Sequence, residues 1–225
     1  MVKMIRLFFV FCIVNGGIGN SVELSDVYEK NCSDPCDINE HLPALRKLAA
    51  ECSTVTEIGI REIVSTWGIL QGLSESKGEH RSYIGIDLNY PELNQLFLAD
   101  QLAESNGVSF HFWQANDFHI DIEPTDMLFI DSWHTYCHLT YELEKFSPKV
   151  RKYIAMHDTS EPWGDEDEPF YQGIIPEYPA HINRVKRGLW PAVDDFLKSH
   201  PEWRLKKRYL NNHGFTILER AVPLN

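Results

Sequence analysis

The feature that most constrains this chain is an alternation of two periods along it. Short β-rich apolar runs recur at Val55-Thr56-Glu57-Ile58-Gly59, Tyr83-Ile84-Gly85-Ile86-Asp87, Val108-Ser109-Phe110-His111-Phe112, Asp126 to Asp131 and Tyr153 to His157. Between them, Ile63 to Leu73, Pro91 to Ser105 and Tyr136 to Phe146 repeat apolar residues at helical spacing. Strands alternating with helices pair in parallel, because parallel neighbours need a long return connection. An amphipathic helix from Glu40 to Cys52 leads in, with Leu42, Leu45, Leu48 and Ala49 on one face, Asn39 as its cap and Pro43 in its opening turn. After a helix from Leu189 to His200, the runs Trp203 to Tyr209 and Phe215 to Arg220 flank only Leu210 to Gly214, which predicts an antiparallel hairpin. The expected fold is therefore α/β: a mostly parallel seven-stranded sheet, helices on both faces, and a C-terminal antiparallel hairpin.

Composition narrows the function classes. With 225 residues, 43% of them hydrophobic, the chain suits one domain over 22–225 and is too short for two of ordinary size. A formal charge of -12 gives no basic footprint, so nucleic-acid binding is not expected. The one basic run, Arg204 to Arg208, alternates with an apolar residue and reads as the solvent face of a strand. Residues 1–21 combine Lys3 and Arg6, an apolar run from Leu7 to Val14, and small residues from Gly16 to Ser21, the three zones of a secretory signal. That run is too short for a stable membrane span. Two readings stand: a cleaved signal on an exported protein, or a buried or membrane-touching N-terminal segment on a cytoplasmic one. Beyond Cys12, the cysteines Cys32, Cys36, Cys52 and Cys137 are even in number, as disulfides require, and equally serve as buried thiols. Cys32 and Cys36 lack a second ligand pair at zinc-finger spacing.

In an open parallel sheet, ligands bind beyond the carboxyl ends of the strands. After the first strand, Glu57-Ile58-Gly59 opens a loop with one glycine, short of the three that a pyrophosphate fingerprint needs, which argues against a nicotinamide or flavin dinucleotide. Glu57 suits an ammonium, Gly59 a close backbone approach, and Ser65, at the far end of this loop, is counted with them. Asp87 ends the second strand, where a carboxylate accepts from ribose hydroxyls or caps the next helix. Asn116 and Asp117 follow the third strand and contact a nucleoside base or make a turn. The fourth and fifth strands, neighbours in the usual order, deliver Asp131, His134, His157 and Asp158. Asp131 and Asp158, with His157, form a candidate site for Mg²⁺ or another divalent cation, since close carboxylates repel unless protonated or bridged. His134 is the candidate general base. The loop from Glu161 to Ala180 holds an acidic run, Asp165 to Glu168, read as solvated, beside Trp163, Phe170 and Tyr171 as a candidate lid.

The stretch from Met127-Leu128-Phe129-Ile130-Asp131 through His134-Thr135-Tyr136 to His157-Asp158-Thr159 resembles the D-x-x-H-x-Y … H-D-T pattern of a Rossmann-like methyltransferase group. That group includes macrocin O-methyltransferase and cephalosporin hydroxylase-like proteins and is distantly similar to catechol O-methyltransferase. The resemblance spans roughly residues 37 to 220 and is most specific in the fourth and fifth strands. It implies dependence on S-adenosylmethionine (SAM), with Glu57 and Gly59 in the SAM loop, Asp87 on the ribose, Asp131 and Asp158 on Mg²⁺, and His134 as base. It also implies a small-molecule or sugar hydroxyl as acceptor. Two departures stand out: the first-strand loop lacks the second and third glycines, and position 157 is His where some relatives have an acid. The rival readings are a non-catalytic or exported binding protein on the same fold and a nucleotide-dependent oxidoreductase. Oligomeric state is open to a homo-oligomer.

Overall fold

All seven β-rich runs become strands, and their pairing order decides where a ligand can sit. The computed structural model describes residues 22–169 and 176–222; the candidate signal over 1–21, Cys12, Phe170 and Tyr171 lie outside the described residues. The strands are β1 (Thr54–Ile58), β2 (Arg81–Asp87), β3 (Val108–Gln114), β4 (Thr125–Ile130), β5 (Val150–His157), β6 (Trp203–Tyr209) and β7 (Phe215–Arg220). They form one sheet in the order β3-β2-β1-β4-β5-β7-β6. The five from β3 to β5 are parallel, while β7 pairs antiparallel with both β5 and β6. The strand order reverses between β1 and β4, and such a switch point opens a crevice at the carboxyl ends.

The helices are α1 (Leu24–Ser33), α2 (Leu42–Ala49), α3 (Val64–Glu75), α4 (Leu93–Ser105), α5 (Tyr136–Phe146) and α6 (Leu189–Ser199). One core, built on Leu42, Leu45, Trp67, Leu70 and Ala103, packs α1 to α4 on one face. A second, built on Leu139, Leu143, Phe146, Val193 and Phe196, packs α5 and α6 on the other. Strand β4 lies in the middle and is buried at every residue, so it reads as a continuous apolar run rather than an alternation. At the β6 edge, Arg204 to Lys207 are exposed, and charged edges of this kind resist pairing with another chain. The lead-in helix divides into a 3-10 turn (Asn39–His41) and α2, with Pro43 in its first turn. Asn39 does not cap it. Its side chain instead accepts from Cys36 N and donates to Cys32 O, bracing the preceding loop. The four described cysteines are free thiols. Among the described residues, no helix is long and apolar enough to cross a membrane.

Gly59 sets how closely the ends of β1 and β4 approach. Its φ is +82°, and a Cβ placed there would lie 2.1 Å from the carbonyl oxygen of Asp131. Asp131 N donates to Ile58 O at 2.8 Å, and Gly59 N to Ile86 O at 2.9 Å, so the Ile58–Gly59 peptide unit ties three strand ends together. Gly59→Ala is expected to destabilise the fold by at least about 2 kcal/mol, the left-handed strain of an L residue plus displacement of Asp131. Urea unfolding monitored by circular dichroism measures this, and a change under about 0.5 kcal/mol, the range of neutral surface substitutions, contradicts the assigned contact.

Candidate active site

Beyond β4 and β5, four titratable side chains meet. Asp131 follows β4 directly, and the turn to α5 places His134 before Thr135, whose hydroxyl caps α5 by accepting from His138 N at 3.2 Å. His157 ends β5, and Asp158 leaves the strand in a left-handed conformation, φ 56°. His134 Nε2 lies 3.0 Å from Asp158 Oδ2 and 3.5 Å from Asp131 Oδ1. His157 Nδ1 lies 3.2 Å and 3.5 Å from the same two oxygens. Side-chain exposure is only 1% for His157 and 9% for Asp158, against 17% for His134 and 21% for Asp131.

Burial this deep penalises every charge, so each group's state is set by its neighbours. Burial would lower the pKa of His134, but Asp131, Asp158 and Glu168 around the ring push it up to about 12. Burial likewise opposes charge on His157, and Asp131 and Asp158 raise it to about 10. Burial raises the two aspartates, and the facing imidazoles overcome it and hold both below the usual carboxylate range. In this arrangement both imidazoles are cations at neutral pH. The general-base role read from sequence for His134 therefore requires the acid pair to be neutralised by something else.

The acidic run is not solvated throughout. Glu168 Oε2 lies 3.0 Å from His134 Nδ1, and Glu168 N donates to His134 O at 2.8 Å. Asp167 Oδ1 accepts from Tyr136 N and Gly188 N, both at 2.8 Å, which satisfies an orphan donor of the first turn of α5. The Trp163 ring lies 6.1 Å from that of His134 and nearly parallel to it. Sequence reasoning passed over Glu168 because a run of four acids between turn residues carries no mark of which one folds inward.

The donor-side candidates are placed differently from their sequence reading. Glu57 is fully buried and accepts from the hydroxyls of Ser65, Thr66 and Tyr83, so Glu57 and Ser65 brace α3 from beneath the loop instead of facing a ligand. Gly59 gives its close approach to Asp131. Asp87 Oδ2 accepts from Ile60 N and Arg61 N, and Oδ1 from Asn89 N, leaving roughly one of its four lone-pair positions for a ligand. Arg61 and Ile63 stand at φ 38° and 57°, so the loop takes left-handed turns without glycine at those positions. The Arg61 guanidinium pairs with Asp37 at 2.6 Å. Asn116 Oδ1 caps the 3-10 turn Asp117–His119 by accepting from Phe118 N.

Asp117 is buried, with Oδ2 lying 2.7 Å from His138 Nε2, and Glu142 Oε1 lies 3.9 Å from the same nitrogen. Ser132 Oγ donates to both oxygens of Glu142, which links this second group to the turn after Asp131. Burial, and then Asp117, raise the Glu142 carboxyl well above its usual range. His138 and Glu142 were not singled out from sequence; their helical spacing on α5 was the available signal.

No family model and no curated protein matches the chain by sequence. Solved structures do match its backbone. An O-methyltransferase from Bacillus cereus, in complex with SAH, aligns with a TM-score of 0.55 at 16% identity, covering 90% of this chain and 92% of that one. TomG from Streptomyces achromogenes, an O-methyltransferase involved in tomaymycin synthesis and solved with SAM, aligns at 0.52 with 15% identity, covering 88% and 90%. The chain has the Rossmann-like methyltransferase fold. At these identities the likeness concerns the fold, and the side chains above must carry any statement about chemistry.

The donor atoms fit a cation. One ligand atom each from Asp131, His134 and Asp158 lie within 4.8 Å of one another, as do those of Asp117, His138 and Glu142. In the first group Asp131 and His134 are half-buried, whereas all three residues of the second are buried.

Glu57 yields a test of the loop's support. Burial pushes its carboxyl up to about 7 against three hydroxyl donors. In the unfolded chain it ionises near pH 4.5, so between there and pH 7 the folded state holds a proton that the unfolded state has released. Stability on this account is full below about pH 4.5 and falls as pH rises toward 7, by on the order of 3 kcal/mol. Glu57→Gln is expected to remove that decline, measured as the unfolding free energy in urea from pH 5 to 7.5. A wild-type-to-variant difference that stays constant with pH contradicts the placement.

Proposed function

We propose that the protein is a SAM-dependent methyltransferase acting on the hydroxyl of a small molecule or sugar. The observation that carries this reading is the convergence of Asp131, His134, His157 and Asp158 at the carboxyl ends of adjacent β4 and β5. On this fold that position lies next to the switch-point crevice, where α/β proteins hold nucleosides. The donor would enter over Gly59, with its ribose against the remaining lone pair of Asp87. Asp131 and Asp158 would hold a divalent cation, which would supply Lewis acidity to lower the pKa of an acceptor hydroxyl. With that positive charge on the acid pair, the carboxylate field that charges His134 would be offset, and the imidazole would be free to take the hydroxyl proton. Glu168, against Nδ1, steers the ring so that Nε2 faces the acceptor side. The acceptor oxygen then attacks the donor methyl as the methyl–sulfonium bond breaks and S-adenosylhomocysteine leaves as the neutral thioether, and proximity and alignment supply most of the acceleration.

A second reading has its own observation. Asp87 already accepts three backbone N–H groups, and Arg61 and Ile63 occupy strained loop positions, so the donor loop is closed upon itself. This favours a binding protein that keeps the fold without the donor. Calorimetric titration of the full chain with SAM separates the two: the methyltransferase reading predicts saturable binding weakened at least about tenfold by Asp87→Ala, the loss of one good hydrogen bond to a charged group. Absence of SAM binding by the folded wild type removes the methyltransferase reading.

A further inference from the structure

Four residues of the loop before α6 form a pattern that the methyltransferase reading leaves unused. Arg184-Val185-Lys186-Arg187 places cations at the first, second and fourth positions before the Arg187–Gly188 bond. Cations so placed are what a protease with acidic pockets recognises, each pocket pairing with one of them. A second basic run, Arg204 to Arg208, lies within β6, where its backbone is paired with β7. An endoprotease needs its substrate strand unpaired, so the two runs are not equivalent.

The first run is presented for such binding. Residues 176–188 contain no helix or strand, and Asn183 to Arg187 are all exposed, Val185 to 83%. Loop tips of this kind are where proteolysis concentrates. The amides of Val185 and Lys186 are held by the Asn183 side chain, at 2.9 and 3.3 Å. Lys186 pairs with Asp195, and Arg187 Nε lies 3.4 Å from Asp167 Oδ2, yet the two cationic side chains remain 43% and 55% exposed. Exposed pairs hold weakly, so this loop can open without unfolding the domain.

The residue after the bond is its opposite. Gly188 is buried at φ 81°, and a Cβ on it would lie 2.4 Å from Gly164 O. Gly188 N donates to Asp167 Oδ1 at 2.8 Å, while Leu189 N and Trp190 N donate to Trp163 O and Gly164 O at 2.8 and 3.0 Å. A carboxylate therefore already faces the nitrogen that hydrolysis would turn into an amine. The same Asp167 Oδ1 accepts from Tyr136 N, and the next residue, Glu168, lies 3.0 Å from His134 Nδ1.

We propose that Arg187–Gly188 is the cleavage site of a subtilisin-type processing endoprotease, and that the new Gly188 ammonium stays in place as the ion-pair partner of Asp167. Water adds across the amide, leaving a carboxylate on Arg187 and an ammonium on Gly188. The piece after the cut remains in the fold, because its Val193, Phe196, Phe215 and Leu218 are buried in the two cores. An ammonium at the start of α6 opposes the helix dipole, which makes the Asp167 partner the more necessary. The secretory signal expected over residues 1–21 would bring the chain to enzymes of this class.

The test incubates the full chain with a purified endoprotease of this type, one that requires arginine at the first and fourth positions, and follows the products by mass spectrometry. The expected result is one cut, between Arg187 and Gly188, with both pieces co-eluting in gel filtration. Arg184→Ala should slow this cut at least about tenfold, the loss of one charge-assisted contact, while trypsin, which reads only the residue before the cut, cleaves after Arg187 as fast as before. An amine-reactive label at neutral pH tests the second half. Gly188 in the nicked protein should react at least about tenfold more slowly than in the same material unfolded in urea, as for an amine raised by one pKa unit. Asp167→Asn should remove most of that protection, and if this variant does not fold, the nicked wild type with and without urea decides. The proposal is overturned by no cut in the folded chain, by a first cut elsewhere, by a rate indifferent to Arg184, by pieces that separate, or by an amine equally reactive folded and unfolded. SAM binding enters neither measurement, so the methyltransferase reading and this one fail separately.

Discussion

Two carboxylates and two imidazoles can be buried together only if their charges balance, and much of this molecule is arranged around that requirement. Asp131 and Asp158 lie within 3.0 to 3.5 Å of His134 and His157, and the side chains of His157 and Asp158 are 1% and 9% exposed. In so dry a place an unpaired charge costs several kcal/mol, whereas a matched set stabilises every member. The surrounding backbone concedes strain to hold the match: Asp158 leaves β5 at φ 56°, and the hairpin tip turns left-handed to reach His157.

The same strand ends bind this cluster to the first-strand loop. Gly59 lets β1 approach Asp131 so closely that no side chain fits between them. Directly beneath, Glu57 gathers three hydroxyls and pins α3 to β1 and β2. The loop above is closed by Asp87, which collects amides from Ile60, Arg61 and Asn89. The first-strand loop and the acid–imidazole cluster therefore meet at Gly59, against the backbone of Asp131.

The strands, the helices after the lead-in and the terminal hairpin were legible because their periods are clean and their ends carry turn residues; β6 and β7 match the sequence boundaries residue for residue. The meeting of Asp131, His134, His157 and Asp158 was legible too, since adjacent parallel strands put their last residues side by side. Direction was harder to read. Glu57 sits one residue before the end of β1 and points into the core, a distinction that pattern cannot make when the strand is covered on both faces. Long-range partners were hidden as well. Glu168 reaches His134 across 34 residues of chain, and Asn212 reaches His157 across 55, through backbone turns that leave no mark in composition. The helix α1 went unread because its apolar face is reduced to Leu24 and Tyr28.

The claim beneath all of this is that the acids and imidazoles at the ends of β4 and β5 act as one coupled group. A double-mutant cycle on unfolding free energy, with Asp158→Asn, His134→Gln and the double variant in the presence of a chelator, measures that coupling without any substrate. The account predicts an interaction energy above about 1 kcal/mol, within the range for residues sharing one ion-pair network. Additivity within about 0.3–0.5 kcal/mol, as for distant independent sites, contradicts it.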